Sequence, residues 1–146
     1  MSLIFTSTLR NTLDDMAQLP PKLADFAEQA GLPMDVSMPI DIVLDELLIN
    51  TISYGYADGR PGTITVRMDV DKDVTIVIED DGDPFDPLSV APPDLETDLE
   101  HREIGGLGVH FVRTMMDDVE YQRIDGHNRI TLIKRLSTSG QHHANN

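Results

Sequence analysis

The stretch Val43-Leu44-Asp45-Glu46-Leu47-Leu48-Ile49-Asn50-Thr51-Ile52-Ser53-Tyr54-Gly55 sets the reading of this chain. Its apolar residues recur at three- and four-residue steps, and the pattern extends back through Ile40 to about Val36. It predicts one long helix that stops near Gly55, with much of its circumference buried. Glu46 and Asn50 interrupt that apolar pattern together. Four residues apart, they project from one face, one turn from each other, with Ser53 near the same stripe. A carboxylate beside a carboxamide can serve as a general base and an oxygen ligand for Mg²⁺. The plainer reading of the same pair is a solvated helix face.

On the N-terminal side, Leu3–Leu9 reads as a strand. Asn11 or Thr12 can cap a helix carrying Leu13, Met16 and Leu19. Pro20-Pro21 should interrupt it, with helical spacing resuming through Leu23, Phe26 and Ala27 to Gly31. On the C-terminal side, Ile64, Val66, Met68 and Val70 alternate with polar residues, as do Val74, Ile76 and Ile78, around a turn at Asp71-Lys72-Asp73. A Pro- and Asp-rich loop follows from Asp80 to Glu103, long for a small domain and suited to a lid. A third helix begins at about Gly106 and carries Val109, Phe111, Val112, Met115 and Met116. Two closing strands, around Val119–Ile124 and Arg129–Leu136, are joined by the turn signal Asp125-Gly126.

The expected fold is therefore α+β, a two-layer sandwich whose mostly antiparallel mixed sheet is covered on one face by helices. The 146 residues suit a single domain over 1–137, followed by a disordered polar tail over 138–146.

Charge narrows the partners. Eleven Lys and Arg against 26 Asp and Glu leave a formal charge of −15, which repels nucleic acid and anionic membranes. A bound polyanion must then be held locally, by backbone amides and a metal ion. The absence of cysteine removes disulfides, thiolate catalysis and cysteine zinc sites. With no basic leader and no apolar run near the roughly 20 residues that span a bilayer, the chain reads as soluble and cytoplasmic.

Two further places can carry chemistry. Asp80-Asp81-Gly82 ends a half-buried strand. Asp80 there can accept a hydrogen bond from the exocyclic amine of a base, and Gly82 would let a flat ring approach the backbone; an ordinary turn uses the same residue types. Gly105-Gly106-Leu107-Gly108 precedes the third helix, where exposed amides and the helix dipole favour an anion. A lid hinge is the competing reading. A calcium loop is not supported. Asp69, Asp71, Asp73 and Asp80 fall at positions one, three, five and twelve of an EF-hand spacing, but position six is Val74 rather than glycine.

In this order and context the motifs resemble those of the ATPase family shared by gyrase B, heat-shock chaperones, sensor histidine kinases and anti-sigma serine kinases (the Bergerat or histidine kinase-like ATPase fold). That family pairs Glu-x-x-x-Asn on a helix with Asp-x-Gly at a strand end and Gly-x-Gly before a lid helix. Here these are Glu46 to Asn50, Asp80 to Gly82 and Gly106 to Gly108. The short lid and the run Gly105–Tyr121 are most similar to the anti-sigma factor serine/threonine-protein kinases. The resemblance covers Leu3 to Leu136.

The resemblance implies ATP and Mg²⁺ as cofactors, with Asn50 on the metal and Glu46 as general base toward a serine hydroxyl. Asp80 and Gly82 would read the adenine, and Gly105, Gly106, Leu107 and Gly108 would line the phosphates. It implies phosphorylation of an anti-anti-sigma protein, sequestration of a sigma factor, and a homodimer. The chain departs from the pattern at Tyr54, where well-studied members carry histidine, and at Ile104, where they carry arginine. The second departure motivates an alternative, a nucleotide-gated interaction module without phosphoryl transfer. A detached histidine-kinase domain is disfavoured, because no dimerisation helix with a phosphoacceptor histidine is evident.

Overall fold

A computed structural model describes residues 2–89 and 104–136, without side-chain detail for 104–107. The tail over 138–146 and most of the expected lid lie outside the described residues. The elements run β1 (Leu3–Arg10), α1 (Leu13–Met16), α2 (Leu19–Ala30), α3 (Met34–Tyr54), β2 (Thr63–Val70) and β3 (Asp73–Asp80). A 3₁₀ turn at Pro87–Ser89 precedes α4 (Ile104–Met115), β4 (Asp118–Ile124) and β5 (His127–Arg135).

The five strands form one sheet in the order β1-β2-β3-β5-β4, and all four described pairings are antiparallel. Period-two alternation gives the sheet one apolar face: Ile64, Val66, Met68 and Val70 on β2, Val74, Ile76 and Ile78 on β3, and Ile130 and Leu132 on β5 are buried. The helices cover that face. Ile40, Val43, Leu44, Leu47 and Leu48 of α3, Leu23 and Phe26 of α2 and Val112 of α4 join the same core. Each fully buried leucine here contributes about 1.5–3 kcal/mol, so the apolar side of α3 fixes its place on the sheet. Its outward side, by contrast, is open to water.

Several expectations are refined. The helical break falls at Ala17-Gln18, and Pro20-Pro21 lie in the first turn of α2. Early helix positions have no intrahelical acceptor for their N–H groups, so prolines there cost nothing and start the helix instead of breaking it. Thr12 provides the α1 cap, its Oγ1 accepting from the Asp15 N–H at 3.1 Å. Asn11 instead ties the loop before β2, accepting from the Gly62 N–H at 2.9 Å and donating to the Arg60 carbonyl at 3.0 Å. Gly31 closes α2 in the left-handed region, with φ 69°. Asp125 (φ 50°) and Gly126 (φ 79°) both have the positive φ of a type I′ hairpin turn. Asp71 and Lys72 form a two-residue hairpin loop, with Asp71 N–H bonded to the Asp73 carbonyl at 3.0 Å, and Asp73, expected in the turn, already belongs to β3.

Candidate functional site

The site grows out of one row of the sheet. Register aligns Leu9, Ile64, Asp80, Asn128 and Arg123 across the strands. The row passes from apolar at the β1 edge to polar at the β4 edge, and α3 lies above it. Asp80 follows the inward phase of Val74, Ile76 and Ile78 and is buried, while Asp81 leaves the strand. Adjacent carboxylates thus face different surroundings.

Asp81 is a structural anchor. It accepts from the Thr63 N–H at 2.9 Å and the Tyr56 hydroxyl at 2.8 Å. Burial works to raise its pKa, but these donors outweigh it and hold the carboxyl below its ordinary value. The same arrangement drives the Tyr56 hydroxyl upward, through burial and then the Asp81 bond. Arg60 braces the loop from outside through an ion pair with Asp83 at 3.1 Å, a surface contact of small net worth.

Asp80 behaves oppositely. Its Oδ1 accepts from the Gly82 N–H and from Asn128 Nδ2, each at 2.8 Å. Both bonds fall on Oδ1, leaving Oδ2 without a partner among the described residues. Burial raises the carboxyl pKa, and the Asn128 and Gly82 bonds offset only part of the rise. A buried acceptor with one oxygen uncommitted suits a ligand N–H donor.

Asn128 was not singled out from the sequence, although it holds this end of the site together. It also donates to the Asp83 carbonyl at 2.8 Å. Its Oδ1 accepts from the Tyr121 hydroxyl at 2.5 Å and from Phe85 N–H and Arg123 at 3.2 Å each. Arg123 further donates to the Gly82 carbonyl at 2.8 Å. The available signal was one polar residue in the inward phase of Asn128, Ile130 and Leu132.

Gly82 is needed for a reason other than ring access. The place of its missing side chain is taken by the protein itself: a Cβ would lie 2.5 Å from the Gly55 carbonyl oxygen and 3.0 Å from Asp80 Oδ1. Asp83 N–H bonds that same Gly55 carbonyl at 2.8 Å. The loop after β3 is therefore docked on the C-terminal end of α3. Tyr54 adds a tilted ring contact with Phe85, centroids 5.5 Å apart.

On α3, Asn50 is buried and donates through Nδ2 to the Pro87 carbonyl at 3.3 Å. Its Oδ1, the atom a hard cation would use, has no partner among the described residues. One turn earlier, Glu46 Oε2 is buried with no hydrogen-bond partner. Burial pushes the Glu46 carboxyl above its ordinary pKa, and nearby Asn50 offsets part of that rise. The solvated-face reading of this pair therefore fails for these two side chains.

α4 starts at Ile104, two residues before the expected boundary, so Gly105, Gly106, Leu107 and Gly108 form its first turns instead of preceding it. Glycines weaken a helix, which is why the sequence pattern concealed them; packing against α3 compensates. Any Cβ on Gly108 would collide with the Glu46 Cγ, Cδ and Oε1. The first four N–H groups of α4 have no acceptor within the helix, and this end carries the positive pole of its dipole. The structure thus brings α3, the loop after β3 and the start of α4 together. Among the described residues no cluster of three or more His, Asp or Glu could hold a metal by itself, and no helix is long and apolar enough to cross a membrane.

Comparison with known proteins agrees with this arrangement. Residues 9–134 match the family of histidine kinase-like ATPase domains. The serine-protein kinase RsbW of Bacillus licheniformis is 31% identical over 121 residues, 79% of this chain and 74% of that protein. The anti-sigma F factor of Clostridium novyi is 27% identical over 118 residues, 80% of this chain and 82% of its own length. The serine/threonine-protein kinase BtrW of Bordetella bronchiseptica is 32% identical over 94 residues, 64% of this chain and 66% of that protein, just under two thirds of it.

Proposed function

The chain belongs to the histidine kinase-like ATPase domain family, and on that premise we propose that it is an ATP-dependent serine/threonine-protein kinase acting as an anti-sigma regulator. Its protein substrate is an anti-anti-sigma partner, and its regulatory target is a sigma factor. The names of the similar proteins support this class. The observation that carries the reading is Glu46, half-buried on α3 with its Oε2 atom buried and unpartnered, one turn from Asn50. An uncompensated buried acceptor is costly, and a site that takes a proton from a hydroxyl gives it a use.

In this reading Asp80 Oδ2 accepts from the adenine amine, and Asn128 and Gly82 hold the carboxylate at the required angle through Oδ1. Glu46 removes the proton from the attacking serine hydroxyl. Amides at the start of α4 (Gly105, Gly106, Leu107 and Gly108) face the phosphates. Asn50 Oδ1 would hold Mg²⁺, which would supply positive charge to offset that of the phosphates. The donor set among the described residues fits: a neutral amide oxygen suits a metal that is shared with a triphosphate. For a chain of charge −15, this is also how a polyanion can be retained without a basic patch.

Incubation of the protein with radiolabelled ATP and a candidate partner tests the proposal. The partner becomes labelled on serine or threonine, and Glu46→Gln abolishes the label while ATP binding persists. Label that survives the substitution removes Glu46 from the role of base.

A second reading has specific support. Gly108 is seated on Glu46, which leaves the carboxylate covered, and Ile104 stands where the family pattern has an arginine. A nucleotide-gated interaction module without transfer would bind its partner in an ATP-dependent way and leave no phosphoserine detectable by mass spectrometry.

A further inference from the structure

The outward side of α3 is unusually apolar for a surface open to water. Met34, Met38, Ile42 and Ile49 are 70, 51, 49 and 43% exposed. Steps of four, four and seven residues place them in one stripe on the side of the helix facing away from the core. At 1.5 Å per residue the stripe is about 22 Å long. Asp41 and Asp45, one turn apart, lie on the same side. Neither forms an ion pair among the described residues. Though exposed, both carboxyls are pushed above their ordinary pKa, chiefly by loss of water and, for Asp41, also by Asp45. Scattered exposed apolar residues need no explanation; an aligned stripe with unpaired charges set into it does.

We propose that this stripe docks a helical segment of a partner protein, one that presents large apolar side chains with Lys or Arg one turn apart to meet Asp41 and Asp45. A narrow, straight apolar ridge matches the groove of another helix, and the two carboxylates fix the sign of the partner. A second copy of this chain is the wrong occupant, since it would set Asp41 and Asp45 against like charges on a molecule of net charge −15. An anionic membrane is repelled on the same ground. The stripe borders the Glu46 and Asn50 face of α3, with Ile42 one turn from Glu46, but none of its residues takes part in the nucleotide reading, so the inference does not depend on it.

A labelled synthetic amphipathic peptide, leucine on one face with flanking lysines, serves as the probe, titrated into the full chain by fluorescence anisotropy. Methyl NMR of Met and Ile maps where it sits. The leucine–lysine peptide shifts the Met34, Met38, Ile42 and Ile49 methyls. Its affinity falls roughly tenfold or more both with Met38→Ser plus Ile42→Ser and with Asp41→Lys plus Asp45→Lys. The second pair gains binding to a leucine–glutamate peptide, a reversal that misfolding cannot imitate. Unchanged affinity in both variants, or shifts spread over other surfaces, overturns the proposal. So does concentration-dependent shifting of the same methyls without peptide, which would identify the occupant as a second copy.

Discussion

Replacing Asp80 with asparagine separates what the residue does for the fold from what it does for a ligand. Oδ1 carries both described bonds, from Gly82 N–H and Asn128 Nδ2, and an asparagine at 80 keeps an oxygen there to accept them. The amide NH₂ then occupies the place of Oδ2. Toward a ligand amine this exchanges an ionised acceptor for a donor. Losing a charge-assisted bond and opposing two donors costs about 2–4 kcal/mol, roughly 30- to 1000-fold in affinity. Stability should move the other way. Burial raises the Asp80 pKa above its unfolded value. Its contribution to stability is therefore full below the unfolded pKa and lost as pH rises through the folded pKa. At neutral pH the ionised group is a net cost, and the neutral amide removes it. Thermal unfolding between pH 4 and 8 should show Asp80→Asn as stable as the parent or more so, with a flatter pH dependence. Calorimetry should show ATP affinity reduced by the factor above. Undiminished ATP binding would refute the base-reading role, and a stability loss above about 2 kcal/mol would refute the bonding scheme, because that is the scale of leaving buried donors unmet.

Asn128→Ala removes five bonds, of which the one to Asp80 is fully buried. A loss of about 2–4 kcal/mol follows, read by denaturant unfolding. It also raises the Asp80 pKa further, so ATP binding weakens at a higher pH than in the parent. Gly108→Ala drives a methyl into Glu46 and should cost about 1–3 kcal/mol, as overpacking does, unless α4 shifts away; the melting temperature decides. The Glu46 carboxyl is raised by burial, and only its ionised form can accept a proton. At saturating ATP, partner phosphorylation should therefore fall off on acidification at a pH above the ordinary carboxylate range; a rate that stays flat through that range would contradict the assignment of Glu46 as base.

Much of this was legible before any coordinates. Alternation in β2 and β3 and the apolar periodicity around Glu46 and Asn50 follow from burying one face, so pattern alone places Val66, Ile76 and Leu47 in the core. The Asp125-Gly126 turn was readable because few residues tolerate positive φ. What was hidden depends on approach between distant segments. The demand for glycine at 82 comes from the Gly55 carbonyl, 27 positions away, and that at 108 from the Glu46 side chain on another helix. Asn128 reaches Asp80 only through β3–β5 register, which no local signal encodes. Pro20-Pro21 misled because proline breaks a helix interior but suits a first turn, and the sequence does not say which position it holds.

Titration calorimetry of ATP with and without Mg²⁺ tests the central claim, a nucleotide held between α3, the Asp80 loop and the start of α4. One ATP should bind per chain with Mg²⁺ present, with affinity dropping severalfold on chelation and again in Asn50→Ala. Absence of binding under both conditions, or equal binding with and without the metal in parent and variant alike, would contradict it.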